Sequence, residues 1–185
     1  MRFRLTYRGR LKGQNRDRKH VQDLRCHFHK QLKLLWMQEP LSAYREWLAL
    51  DRKPYDSLMQ EVAGYEFAPL VSSRVDLISE LDILLLRPAA PGAILRDGGD
   101  LDNRIKTLVD GLRLPTNTEL PPKWKPEEDQ MPFFCLLQDD KLVSAFSVVS
   151  DRLLESPLHE QEALVVIQVK VTAVKVTMGN SGLVG

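Results

Sequence analysis

A chain of 185 residues, 43% hydrophobic and 28% charged, has the size of one substantial domain and the composition of an ordinary globular protein, which excludes disordered and fibrous classes. No apolar run approaches the ~20 residues of a membrane helix, and the opening MRFRLTYRGRLKG lacks the apolar stretch of a secretory signal. The two cysteines, Cys26 and Cys135, form neither a metal-ligand spacing nor a disulfide framework, so a reducing, cytoplasmic compartment is expected. A net charge of +1 hides a polarised chain, because residues 1–35 hold eleven Lys or Arg against two Asp, whereas the remainder is net acidic. A basic arm of this kind suits a polyanionic partner such as nucleic acid, and equally suits plain solvation.

Phe3, Leu5 and Tyr7 alternate with Arg2, Arg4, Thr6 and Arg8, the period-two pattern of a strand with one charged face. A polar loop, GQNRDRKH, follows. Val21, Leu24, Phe28, Leu32 and Leu35 then recur at three- and four-residue steps, which predicts an amphipathic helix from about His20 to Met37, stopped by Pro40. Residues 41–64 read as further helical stretches, one containing Trp47, Leu48 and Leu50, another Leu58 and Val62. Val75 to Leu86 reads as a largely buried strand, followed by the Gly- and Pro-containing loop PAAPGAILRDGG and a helix that starts near Asp102.

Beyond that helix, residues 113–134 are rich in proline, which excludes a regular helix or central strand and predicts a surface excursion or lid with Trp124 as its large aromatic. Two further strands are expected, Lys141 to Val149 and the alternating segment Ala163 to Thr172, with residues 178–185 a frayed tail. The expected architecture is a single α/β (α+β) domain, a mixed sheet of about four strands flanked by helices.

The chemistry concentrates in DGGDLDNRIKTLVDGL, residues 97–112. Asp100 and Asp102 are two apart, so in an extended segment both carboxylates project from one side. Asp102, Lys106 and Asp110 then lie on one helix face. A second acidic pair, Asp139-Asp140, stands before a strand. If Asp100, Asp102 and Asp139 or Asp140 converge, they form a small set of hard oxygen ligands without His or Cys, suited to Mg²⁺ or Mn²⁺. Such an ion orients a water nucleophile and offsets charge on a phosphodiester, and Lys106 beside it would add a cation. The structural alternatives are as concrete: a solvated ladder of i,i+4 charges, an N-cap at Asp102 or Asn103, and a turn at Asp139-Asp140. His20, His27, His29 and His159 show no paired ligand signature and read as surface or internally satisfied side chains. The three tryptophans read as core or loop anchors.

DLDNRIKTLVDGL followed by QDDKLV before a β-rich segment resembles the RusA family of Holliday junction resolvases. The order of the N-terminal strand, basic loop, helix from His20, SELDILLLRP and final alternating strand fits as well. The resemblance covers most of the chain in order, with its specific part at residues 100–112 and 138–143. It implies acidic catalytic and metal-ligating residues at Asp100, Asp102 and Asp140, a catalytic lysine at Lys106, and Mg²⁺ (or Mn²⁺) as cofactor. It further implies a homodimer that cuts four-way DNA junctions in recombination and repair. Arg8, Arg10, Lys12, Arg16, Arg18 and Lys19 are the residues expected to meet DNA phosphates. Two departures bear on substrate shape: the Pro-rich stretch between the two motifs, and extra length at residues 38–70. A second reading is a non-catalytic junction binder of the same fold, against which the intact Asp100, Asp102, Lys106 and Asp140 argue; a third, which the Pro-rich stretch would permit, is a nuclease acting on flaps or single strands.

Overall fold

The structure is a computed structural model that describes residues 1–13, 17–49, 57–88, 101–155 and 162–183. Its scaffold is a four-stranded sheet in the order β1-β7-β4-β6, built from β1 (Arg2–Arg10), β4 (Leu77–Arg87), β6 (Val143–Arg152) and β7 (Glu162–Ala173). These are the four strands expected from the sequence, with bounds moved by a few residues. β7 pairs antiparallel with both β1 and β4, while β4 runs parallel to β6. The alternation of each strand resolves into two faces. Leu5, Leu81, Ile83, Leu85, Val165, Ile167 and Val169 are buried on the inner one. The outer face carries a polar row that crosses all four strands: Arg4 donates to Gln168, and both Gln168 and Ser147 donate to Asp82.

α1 (Arg18–Leu35) covers the inner face with Leu24, Phe28 and Leu32, each contributing about 1.5–3 kcal/mol of apolar burial. Asp17 caps it by accepting the N–H of His20 at 3.0 Å. α2 (Leu101–Leu112) lies against α1 and buries Ile105, Leu108 and Leu112. The approach is close at Gly111, where an added Cβ would stand 2.8 Å from Leu24 Cβ. Trp36 and Trp47 are buried in the same core.

Three strands were not expected. β2 (Gln60–Val62), β3 (Tyr65–Val71) and β5 (Phe133–Leu137) form a second sheet in the order β2-β3-β5. Residues 41–48 are helical as expected, in 3-10 form with a kink at Tyr44. Val62, by contrast, is in a strand, and Leu58 precedes it outside any helix. Ala63 and Gly64 both have positive φ, 52° and 81°, between the paired Val62 and Tyr65. That is the backbone of a two-residue hairpin turn with a glycine at its second position, and it overrides the apolar spacing that suggested a helix. Pro69 is compatible with β3 because β2 pairs only with Tyr65 to Phe67, so the proline has a strand neighbour on one side only.

The Pro-rich stretch is a surface excursion for much of its length, with residues 116–118 and 127–129 exposed, but it does not end in solvent: Phe133 and Phe134 enter β5, parallel to β3 and within the core. Leu120 and Trp124 pack with Val62, Phe67, Phe133 and Cys135 in a smaller second cluster, where Trp124 stands edge-on to Tyr65 and Phe133. Nor does the tail fray through residue 183. Asn180, 1% exposed, donates to the carbonyls of Val75 and Lys175, and Leu183 is buried.

Candidate functional site

α2 begins at Leu101, so Asp102 sits inside its first turn and is not its cap. A carboxylate there is favoured by the helix dipole. Arg104 ties this turn to the rest of the fold by donating to the Leu11 carbonyl just beyond β1. At the far end, Arg113 donates to Asp110 at 2.9 Å and grips both carboxylate oxygens of Glu119. The helix is therefore pinned at both ends by arginines, and its exposed residues Asp102 and Lys106 are held on a fixed face.

Asp139 and Asp140 divide their work. Asp139 accepts the N–H of Lys141 at 2.9 Å and caps the single 3-10 turn that leads into β6. That hydrogen bond, with Lys141 and Asp140 beside it, holds its carboxyl below the usual range. The turn expected at this pair is therefore real and belongs to Asp139. Asp140, the next residue, is exposed and lines a groove between α2 and β6.

That groove, about 460 Å³, has an apolar floor of Leu101, Ile105, Val109, Phe146 and Val148, and it is bordered by Asp102, Lys106, Asp110 and Asp140. Three of the four expected catalytic residues thus share one surface. The fourth, Asp100, lies outside the described residues, as does Arg16. The charges do not form the solvated ladder that the i,i+4 spacing allows. Asp110 turns to Arg113, and neither Asp102 nor Lys106 makes an ion pair or hydrogen bond among the described residues.

Among the described residues no three His, Cys, Asp or Glu side chains are gathered closely enough to hold a metal ion. The described donors, Asp102 and Asp140, are hard carboxylate oxygens of the class that Mg²⁺ takes, and a three-carboxylate set requires Asp100. The donor chemistry fits that ion.

The basic residues separate into three groups. Arg8 lies on the outer sheet face in ion pairs with Glu155 at 2.7 Å and with the buried Glu162 at 2.9 Å, and Arg10 ends the same strand on the same face. Lys12 is paired with Asp17, which lowers the Asp17 pKa and fastens the loop to the α1 cap. Arg18 and Lys19 are exposed at the start of α1, and Arg18 shares a cavity with Lys106 and Asp110. Arg25 and Arg113 were not singled out by the sequence pattern. The Asp110–Arg113 spacing was legible as a helical i,i+3 pair, whereas nothing in the local sequence marks Arg25 as buried.

Comparison with protein-family models, with curated proteins and with solved structures finds no match. No helix among the described residues is long and apolar enough to cross a membrane.

The histidines behave as internal partners. His27 meets the Thr6 carbonyl at 2.9 Å, His20 Nε2 accepts the Lys12 N–H, and His29 Nδ1 accepts the Phe134 N–H. His159 lies outside the described residues.

Proposed function

We propose that this protein is a Mg²⁺-dependent endonuclease of the RusA type that cuts branched DNA, chiefly four-way junctions. The observation that carries the reading is the groove that Asp102, Lys106 and Asp140 line together, while Asp102 and Lys106 have no ion-pair or hydrogen-bond partner among the described residues. Charges kept unpaired at fixed positions suit a substrate that brings its own charge. The motif resemblance at residues 100–112 and 138–143 supports the same assignment.

In this reading Asp102 and Asp140, together with Asp100, hold the ion. When bound, it supplies an oriented water and positive charge at the phosphodiester. Lys106 places its side-chain amino group at the groove, where it stabilises negative charge developing on the phosphate or the leaving oxygen. The arginines that fasten both ends of α2 keep these groups from reorganising, which is the condition for electrostatic stabilisation to favour the transition state. Arg18 and Lys19 engage backbone phosphates. A four-way junction has two-fold symmetry and needs two cuts, so two copies of the chain act together as a homodimer.

The test is a cleavage assay with Mg²⁺ on a four-way junction, a flap and a linear duplex of the same sequence. Symmetric cutting of the junction with little cutting of the duplex is expected. Equal cutting of all three, or none, overturns the reading.

A further inference from the structure

A second cavity, about 500 Å³, opens on the other side of the Lys106–Asp110 face, between α1, α2 and the segment that follows α2. Arg18, Val21 and Arg25 line it from α1, Lys106, Thr107 and Asp110 from α2, and Thr118 and Glu119 from the connection. Its charge is lopsided once the pairs are assigned. Both carboxylates, Asp110 and Glu119, are bound by Arg113, and Glu119 also accepts the Thr116 N–H at 2.8 Å. Among the described residues Arg18 and Lys106 have no carboxylate partner, and Arg25 meets Glu119 only at 3.7 Å.

Arg25 is the informative member. It is 1% exposed, and a guanidinium taken from water to that depth needs its N–H groups satisfied. Its Nε donates to the Arg113 carbonyl at 3.2 Å and one terminal nitrogen donates to Gln22 at 3.3 Å. The other terminal nitrogen makes no hydrogen bond, and its nearest carboxylate, Glu119, stands 3.7 Å away with both oxygens already committed. Burial lowers the Arg25 pKa, with Glu119 partly opposing that effect. The side chain is thus one acceptor short at the wall of a cavity that two exposed cations also line.

We propose that this cavity binds a phosphate group of a nucleic-acid strand, held by Arg18, Arg25 and Lys106. An oxyanion would supply negative charge beside these three cations, and phosphate offers oxygens in the arrangement that guanidinium donors match. Because Lys106 borders both this cavity and the groove with Asp140, a phosphate held here positions the strand beside the candidate active site. The anion site stands on the cavity alone, and its assignment to a DNA strand rests on the nuclease reading.

The experiment uses the full chain in buffer without divalent metal. Three probes are titrated: inorganic phosphate, a short single-stranded oligodeoxynucleotide, and the same oligonucleotide with an uncharged methylphosphonate backbone. The arginine Nε–H resonance of Arg25 is followed by NMR, and affinity is measured for the wild type and for Arg18→Gln, an exposed change that leaves the core intact. The expected result is that phosphate and the natural oligonucleotide both move the Arg25 resonance and the uncharged one does not. Arg18→Gln should weaken the oligonucleotide by about fivefold or more, the scale of a lost charge-assisted hydrogen bond. Movement with inorganic phosphate alone would make this a small-anion site and overturn the strand assignment. An unmoved Arg25 with every probe, or unchanged affinity in Arg18→Gln, would overturn the proposal. A chain that passes yet cuts no DNA would keep the phosphate site and lose the nuclease reading.

Discussion

Asp110 pairs with Arg113 at 2.9 Å and leaves Lys106, one turn back on the same helix face, without a carboxylate partner among the described residues. In the sequence the pairings Lys106–Asp110 and Asp110–Arg113 are both permitted by spacing. The second prevails because Arg113 also grips Glu119, so a planar guanidinium joins two carboxylates in one network while an ammonium would reach only one. The consequence is testable. Arg113→Ala should cost about 2–4 kcal/mol of stability, since it leaves two part-buried carboxylates without their partner. It should also free Asp110 to pair with Lys106, so cleavage should fall more than the residual folded fraction explains.

The contact between the helices sets the geometry of the site. Gly111→Ala places a methyl 2.8 Å from Leu24 Cβ, an atom close to the backbone that cannot swing away. α2 must shift from α1, at a cost of about 1–3 kcal/mol. Denaturant unfolding of this variant, alongside the cleavage rate of its folded fraction, measures both effects. A stability equal to wild type would show that the two helices are not held at this distance.

His29 provides a pH dependence with a definite sign. Burial, helped by the charge of Lys33, pushes its pKa down to about 4 from 6.5, and its Nδ1 accepts the Phe134 N–H at 2.9 Å while its ring stacks on Phe133. The unfolded chain therefore takes up a proton near 6.5 that the folded chain refuses until about 4. Stability is full above pH 6.5 and is lost progressively as pH falls to about 4, by about 3 kcal/mol in all at 1.36 kcal/mol per unit. His20, whose pKa burial also lowers, adds to the loss in the same direction. Urea midpoints at pH 7 and pH 5 should show this fall, and His29→Gln, which keeps an acceptor without the titration, should flatten it.

Much of the fold could be read from periodicity. In β1, β4 and β7 one face is buried and the other is more open, so Leu5 or Val165 announces itself against polar neighbours, whereas β6 at the sheet edge buries neither face. The smaller sheet could not be read this way. β5 is buried on both faces, β2 has three residues, and β3 carries a proline, so no alternation marks them. The same limit applies to the site. Asp102, Lys106 and Asp140 carry a motif, whereas the roles of Arg25 and Arg113 depend on partners distant in sequence or on burial that a helical pattern does not reveal. Asp139 and Asp140 looked equivalent as a pair, and only the turn geometry separates cap from groove residue.

The basic arm is not uniform, and DNA binding should reflect that. Arg18 and Lys19 are exposed at the start of α1, so removing either should lower the slope of log affinity against log salt by about one unit, for every junction sequence alike. Arg8 is held by Glu155 and by the buried Glu162, so Arg8→Ala should change the slope less and cost stability more. Fluorescence anisotropy across a salt series distinguishes the two patterns. Equal slopes for all three variants would assign the phosphate contacts elsewhere.

In the proposed site Asp102 holds catalytic metal and is not a structural charge. Asp102→Asn keeps the side-chain shape in the first turn of an exposed helix face, so folding should survive within a few tenths of a kcal/mol. The decisive measurement is single-turnover cleavage of a four-way junction by this variant at saturating Mg²⁺, with metal-free junction affinity measured on the same preparation. The expected result is abolished cleavage with affinity equal to wild type or tighter, because one carboxylate no longer repels the scissile phosphate. Cleavage at the wild-type rate would contradict it.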